Sequence, residues 1–289
     1  MNRRAAFFLI ASNFLGGSSY AAAAYLLKGF TPMASVFWRM LLASLLFLPV
    51  LVKPQPGLKR GDWLRVALVG LLGYAFPLAL GTVGQKMSTS TNASLLIGVE
   101  PVSLVLLSAL FLGERLNFLK GVAIACGMTG SALIVLQGSA PMGVGLSSAM
   151  KGDMILFIHG FFWALYTILG KPLLSKMSPL SFTAWTTALS VPWLWLSWLL
   201  PWPGESVPVL TGETVGALIY LAAGTSCLGA FLWNKGLEQV EASSLAAFIF
   251  IQPLVGVLLG TLLHGDPLTL WSALGGGLIL LGVWVSAKA

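Results

Sequence analysis

Charged and aromatic residues inside long apolar stretches are the first candidates for chemistry in this chain. Arg39 and Glu100 each sit in the middle of such a stretch. A charge there costs about 2.5–3.5 kcal/mol on insertion scales, so each needs a partner or a role. Arg39 lies seven residues after Pro32, and Glu100 eight after Asn92. At about 1.5 Å per residue, helices entering from one side bring both to a depth of roughly 10–12 Å. The spacing therefore predicts a structural ion pair between Arg39 and Glu100. The sharper alternative is that one of them meets a charged substrate or a coupling proton.

His159, Trp163 and Tyr166 follow i, i+4, i+7 spacing and share one helix face. The corresponding positions in the first half hold Ser12, Gly16 and Ser19, so one wall is bulky where the other is bare. Asn13, Gly17 and Tyr20 form a neighbouring stripe, and Tyr74, Thr225, Ser226, Trp233 and Asn234 add polar or aromatic groups elsewhere. A lone intramembrane histidine, with an unperturbed pKa of about 6.5, can sense or carry a proton. Asn92, Leu96 and Glu100 repeat as Ser244, Phe248 and Gln252, giving two helices comparable faces. The candidate substrate-binding set is accordingly Asn13, Tyr20, Tyr74, Asn92, Leu96, Glu100, His159, Trp163, Tyr166, Ser244, Phe248 and Gln252.

No group of carboxylates, histidines or an activated nucleophile can be assembled into a catalytic centre, so the sequence points away from an enzyme. Asp62, Asp153 and Asp266 fall at the ends of apolar stretches, and His159 and His264 are far apart in the chain. There is no glycine loop followed by Lys and Ser or Thr, which argues against direct use of ATP. Cys126 and Cys227 lie within apolar stretches with no ligand-spaced neighbours and read as packing residues. No metal and no cofactor is expected.

The elements that must position these residues are membrane spans. The 289 residues are 57% hydrophobic and 9% charged, with mean hydropathy +0.90, more apolar than a soluble core requires. The net charge of +7 comes from Lys and Arg placed singly or in pairs at span ends, which disfavours a nucleic-acid partner. Windows of about twenty apolar residues, enough to cross about 30 Å of hydrocarbon, fall near 5–27, 32–52, 63–83, 91–112, 118–137, 152–170, 180–200, 213–234, 242–263 and 267–286. Lys and Arg crowd the segments on the side of the N-terminus, while the other side keeps Lys28, Lys86 and Lys151. That asymmetry predicts cytoplasmic termini. Trp193, Trp195, Trp198 and Trp202 suit an interfacial belt.

An internal repeat organises the spans. Pro101, Leu106, Leu107, Leu110, Gly113, Glu114, Leu116 and Gly130 return at a constant offset as Pro253, Leu258, Leu259, Leu262, Gly265, Asp266, Leu268 and Gly282. Phe14, Leu27, Pro32 and Trp38 return at a second offset as Phe161, Leu174, Pro179 and Trp185, so the first apolar stretch belongs to the bundle and is not read as a cleaved signal peptide. The division is 1–137, a connecting loop at 138–151, and 152–289. Five spans per copy invert the copies, and such pairs open a shared site to each side in turn. Gly121 with Ala125 and Ala273 with Gly277 are expected to let backbones pack closely, within the monomer or between subunits. Gly70, Gly73, Gly224 and Gly229 either pack closely or loosen their helices.

The segment LIGVEPVSLVLLSALFLGERLNFLKGVAIACGMTGSALIV (96–135) resembles the signature of the EamA family in the drug/metabolite transporter superfamily, above all in Glu100–Pro101, Gly113–Glu114 and Gly121. TPMASVFWRMLLASLLFLPV (31–50), with Arg39, is similar to that family's second helix. The second copy is looser, with Gln252, Asp266 and Ala273 in place of Glu100, Glu114 and Gly121. The resemblance implies an all-α integral membrane protein of ten helices, in two inverted five-helix repeats, with helices 1, 3, 4, 6, 8 and 9 around a central cavity. It also implies a bacterial inner-membrane exporter of amino acids or other small metabolites.

The expected function is thus alternating-access transport of a small, partly apolar metabolite by a monomer or homodimer among membrane lipids. A flippase for a lipid or lipid-linked sugar is the alternative with the same spans.

Overall fold

The structure is a computed structural model that describes residues 3–55, 57–112, 118–136, 148–198, 207–239, 245, 248–249 and 251–286. Its elements are all helical among the described residues. Helix α1 (Arg3–Leu26) turns into α2 (Pro32–Leu46), whose start is set by Pro32 at the first turn and by the Thr31 hydroxyl accepting from the Ala34 N–H. One further turn, α3 (Leu48–Leu51), precedes the charged connector. Next, α4 (Arg60–Leu68), a π-helical stretch (Val69–Ala75) and α5 (Phe76–Met87) form one rod of 28 residues, about 42 Å long. The chain continues through α6 (Ser90–Leu96), α7 (Val99–Leu112) and α8 (Phe118–Leu136).

In the second half, α9 (Ser148–Gly170) starts inside the expected connecting loop and ends in a 3₁₀ turn, Lys171–Ser175. Then come α10 (Pro179–Trp198), α11 (Gly212–Ile219), a second π stretch (Tyr220–Gly229) and α12 (Ala230–Gln239). The last two helices are α13 (Ile251–His264) and α14 (Leu270–Ser286). Among the described residues, three helices are long and apolar enough to cross a membrane unaided: Arg60–Met87, Ser148–Ser175 and Gly212–Gln239. Gly113, Glu114, Leu116, Arg115, Trp202 and Ser244 lie outside the described residues, as do the connector positions 138–147.

The expected span at 91–112 is broken at Ile97 and Gly98. Pro101 has no N–H with which to reach the Ile97 carbonyl, and the Glu100 N–H takes that carbonyl at 2.8 Å instead. A tighter local turn therefore replaces helix. Gly98 fits here because Ile279 of α14 presses on it; a Cβ would stand 1.9 Å from the isoleucine Cγ2.

Polarity is distributed inside out. Phe7, Phe14, Leu45, Leu110, Phe111, Leu262 and Trp284 point outward, whereas Asn13, Thr183, Thr186, Thr187, Ser190 and Asn234 are buried. Such an exterior calls for lipid around it. Trp193 and Trp195 are exposed on that surface. Each long rod packs on the first helix of the other half. Gly84 of α5 meets Leu156 of α9, and Gly236 of α12 meets Leu9 of α1. Gly84 and Gly236 correspond under one repeat offset, and Leu9 and Leu156 under the other. The two contacts are therefore reciprocal.

Asp62 and Lys176 pair at 2.6 Å at the start of the first rod, and Lys28 and Glu213 pair at 3.4 Å at the start of the second. Asp62 also caps α4 by accepting from the Lys59 N–H. Cys126 and Cys227 are half-buried free thiols.

The expectation for Gly121 and Gly277 is corrected within the monomer: a Cβ on either would meet nothing within 4 Å. The close approach of α8 and α14 is made by Gly130 and Gly275 instead, each of which faces the other's carbonyl oxygen. The cause is helix rotation, since that pair lies along the face turned to the partner helix. Gly73 packs against the Tyr166 backbone and Gly70 against the Thr186 carbonyl, so both serve close packing. Gly84→Leu and Gly236→Leu should each destabilise the purified protein by about 1–3 kcal/mol through overpacking. Gly121→Leu should change stability by less than about 0.5 kcal/mol. Thermal unfolding in detergent distinguishes the two outcomes.

Candidate functional site

A cavity of about 140 Å³ lies between the two halves. At 10–15 Å³ per water-sized position it admits a ligand of roughly ten non-hydrogen atoms. One wall is α1, which contributes Ser12, Gly16, Ser19, Tyr20 and Ala23. The rod opposite contributes Tyr74 from its π stretch and Leu78, Gly81, Thr82 and Gln85 from α5. From α9 come His159, Trp163, Tyr166 and Thr167, and from the second rod Thr225, Gly229, Ala230 and Trp233. Ile97, Glu100, Gln252 and Arg39 complete it.

Both π stretches reach the cavity, one through Tyr74 and the other through Thr225 and Gly229. A π turn inserts a residue into helical register, which re-aims the side chains that follow. Here it turns the Tyr74 ring onto α9, where Tyr74, Trp163 and Tyr166 interlock with centroids 5.6–6.0 Å apart. Their tilted and edge-to-face geometry is the favoured one for aromatic pairs. The result is a rigid aromatic wall. The Tyr74 hydroxyl donates to the Ser226 carbonyl at 3.3 Å, which anchors that wall to the second π stretch.

The expected ion pair is not formed: among the described residues, no contact within 4.0 Å joins Arg39 to Glu100. Arg39 instead donates from Nε to the Ser226 hydroxyl at 2.8 Å and from Nη2 to the Thr225 hydroxyl at 2.7 Å. The second π stretch brings those hydroxyls to the guanidinium, so α2 is tied to the second rod rather than to α7. Glu100 is 5% exposed and lines the cavity. Its carboxyl has no hydrogen-bond or ion-pair partner among the described residues. A guanidinium and a carboxyl thus face one cavity without bonding to each other.

His159 Nε2 accepts from the Trp163 indole N–H at 2.5 Å. A proton can occupy that nitrogen only if this hydrogen bond breaks, and Nδ1 is buried without a partner. The ring therefore serves first to orient Trp163.

Tyr20, Tyr74, Glu100, His159, Trp163, Tyr166 and Gln252 line the cavity. Among the described residues, the other sequence candidates do not. Asn13 is fully buried behind Gln252, accepting from its Nε2 at 2.8 Å and donating to the Leu9 carbonyl. Asn92 joins three helices: its Nδ2 donates to Asp153 at 3.2 Å, and its Oδ1 accepts from Ser272 at 3.1 Å. Leu96 packs in an apolar cluster with Tyr20, Leu156 and Ile279, and Phe248 packs on the larger cluster around Leu9 and Phe182. The break at Ile97 and Gly98 ends the one-turn spacing from Asn92 to Glu100, so Ile97 takes the cavity position expected for Leu96. Ser244 lies outside the described residues.

Gly81, Thr82, Gln85 and Thr167 were not anticipated. Leu78, Gly81 and Gln85 continue the i+4, i+7, i+11 face that begins at Tyr74, a spacing visible in the sequence.

The model of the EamA-like transporter family matches residues 3–136 and again residues 150–287. An uncharacterized transporter of Bacillus subtilis, YyaM, is 27% identical over 95% of this chain and 90% of its own length. A protein of Salmonella typhimurium named a probable amino-acid metabolite efflux pump is 26% identical over 77% of each chain. A crystal structure superposes with a TM-score of 0.64 over 100% of this chain and 98% of its own, at 18% identity, a likeness of fold.

Because Asn92 is part of a structural tie, Asn92→Ala should leave Asp153 and Ser272 short of a partner and cost about 1–3 kcal/mol of stability. Ligand affinity at the cavity should not change. Thermal unfolding with and without ligand separates these effects.

Proposed function

The chain belongs to the EamA-like transporter family, and on that premise we propose that it is a secondary transporter exporting an amino acid or a similar small, partly apolar metabolite by alternating access. It is an integral membrane protein of helices. In this reading ten helices form two inverted five-helix repeats in the bacterial inner membrane, with both termini cytoplasmic. The double family match and the reciprocal packing of Gly84 on Leu156 and Gly236 on Leu9 support that arrangement. An antiparallel pair of related bundles can exchange conformations and so present one site to each side.

The observation that carries the substrate reading is the cavity itself. It holds an aromatic wall together with one guanidinium and one carboxyl that do not pair with each other. An ammonium group at Glu100 and a carboxylate at Arg39 would supply the missing counter-charges, and the rings of Tyr74, Trp163 and Tyr166 would take the apolar part. The name of the Salmonella relative agrees with this chemistry. The protein would act without cofactor and without changing its substrate chemically.

Purified protein in liposomes, assayed with a panel of labelled amino acids, tests the proposal. Tyr74→Ala and Trp163→Ala should each raise KM about tenfold, the equivalent of about 1.4 kcal/mol per lost aromatic contact. Glu100→Gln should weaken compounds carrying an amine far more than their deaminated analogues. Unchanged uptake of every transported compound by both aromatic variants would show that the substrate binds elsewhere.

A further inference from the structure

Hydrogen bonds between helices that share little packing differ from those that fasten packed faces. The rod ending in α5 and α1 share little packing, and so do α9 and α12. Yet each pair is bridged by polar side chains. At the C-terminal ends of α1 and α5, the Gln85 amide donates to the Tyr20 carbonyl at 2.6 Å, and Lys86 Nζ donates to the Leu27 carbonyl at 2.7 Å. At the C-terminal ends of α9 and α12, the Asn234 amide donates to the Tyr166 hydroxyl at 2.7 Å, and Lys171 Nζ donates to the Leu237 carbonyl. Gln85 is 6% exposed and Asn234 fully buried.

These bridges stand at different depths: Tyr166 meets the first rod at Gly73, near its middle, and Gln85 lies twelve residues further along it. The first rod runs antiparallel to α9, since Gly73 meets Tyr166, Gly81 meets His159 and Gly84 meets Leu156. Its far end carries the Gln85 bridge, and its start, where Asp62 pairs with Lys176, adjoins the end of α9 that carries the Asn234 bridge. The cavity lies between, with Tyr20 and Gln85 in its lining on one side and Tyr166 on the other.

We propose that Gln85 with Tyr20 and Asn234 with Tyr166 are the two gates of the transport path, one at each mouth, and that transport breaks them alternately. This rests on the transport reading given above. Each gate joins the first and third helices of one half, so antiparallel halves carry the same device to opposite mouths. Both are closed in this structure. The Asn234 Oδ1 is buried without a partner, so opening that mouth brings water to an unsatisfied acceptor and lowers the cost of separating the amide from Tyr166. The Gln85 amide is already in the cavity lining, where an entering ligand can compete for it.

The test is sided labelling of a single cysteine, Thr82→Cys in the cavity lining, with both native cysteines replaced by alanine. Sealed vesicles of each orientation are treated with a membrane-impermeant maleimide, and no substrate is needed. Gln85→Met, which keeps length and removes the donor, should speed labelling from the extracytoplasmic side about fivefold, the effect of one net hydrogen bond. The rate from the cytoplasmic side should not rise. Asn234→Leu should do the reverse.

Gln85→Ala and Asn234→Ala, which also remove the amide donor, repeat the measurement if a longer apolar variant fails to fold. Equal acceleration from both sides would mean general loosening and would overturn the gate assignment, as would no acceleration or the opposite sidedness. If Thr82→Cys resists labelling from both sides in every protein, the cavity is not on a path across the membrane. The transport reading would then fail first, and the gates with it.

Discussion

Close approach between the two halves, made at glycines, is the constraint on which the rest of the structure depends. Gly73, Gly81 and Gly84 let the first rod lie against Tyr166, His159 and Leu156, and Gly236 admits Leu9 on the other side of the molecule. Lipid surrounds such helices with hydrocarbon as apolar as their own side chains, so burial of apolar surface gives little reason to associate. Dispersion contact and interhelical hydrogen bonds must do it. Backbones that approach this closely also decide where large rings go. His159 meets the rod at Gly81, where there is no side chain to displace it, and Tyr74 and Trp163 close together beside it.

The same economy governs the polar groups. Several polar side chains in the cavity wall are held by hydrogen bonds. Arg39 is tied across helices to Thr225 and Ser226, and Gln252 to Asn13, while Trp163 is held within α9 by His159. Glu100 has no such tie among the described residues. An ionisable group left open inside a bilayer is costly unless something arrives to meet it, which separates Glu100 from the structural polar groups around it. Asp153 makes the contrast plain: equally buried, it is met by Ser88 and Asn92 and cross-links helices.

The two π-helical stretches link packing to the site. They lie in matching rods, at the level of the cavity, and each delivers groups that a regular helix would have turned elsewhere. The first provides Tyr74, and the second provides the hydroxyls that capture Arg39. The ion pair expected from depth alone gave way because those hydroxyls are nearer to the guanidinium than the carboxyl is. Depth along a helix follows from counting residues. The direction in which a side chain leaves the helix does not.

Composition, hydropathy windows and the repeated residues were sufficient by themselves to establish a helical membrane protein and to pick out its family. Hydrocarbon imposes the length and apolarity of a span on the local sequence, and a copied unit keeps its residues at constant offsets. The i, i+4, i+7 face of His159, Trp163 and Tyr166 was legible for the same reason, because α9 is regular there. Asn13, Asn92, Leu96 and Phe248 lie outside the cavity lining: the break at Ile97 and Gly98 ends the spacing from Asn92 to Glu100, Asn13 and Asn92 are taken up in hydrogen bonds, and Leu96 and Phe248 in packed clusters. Whether Arg39 meets Glu100, and which residues bridge the ends of the cavity, were decided only by tertiary structure. Those contacts join residues 59 or more positions apart, and no local period records them.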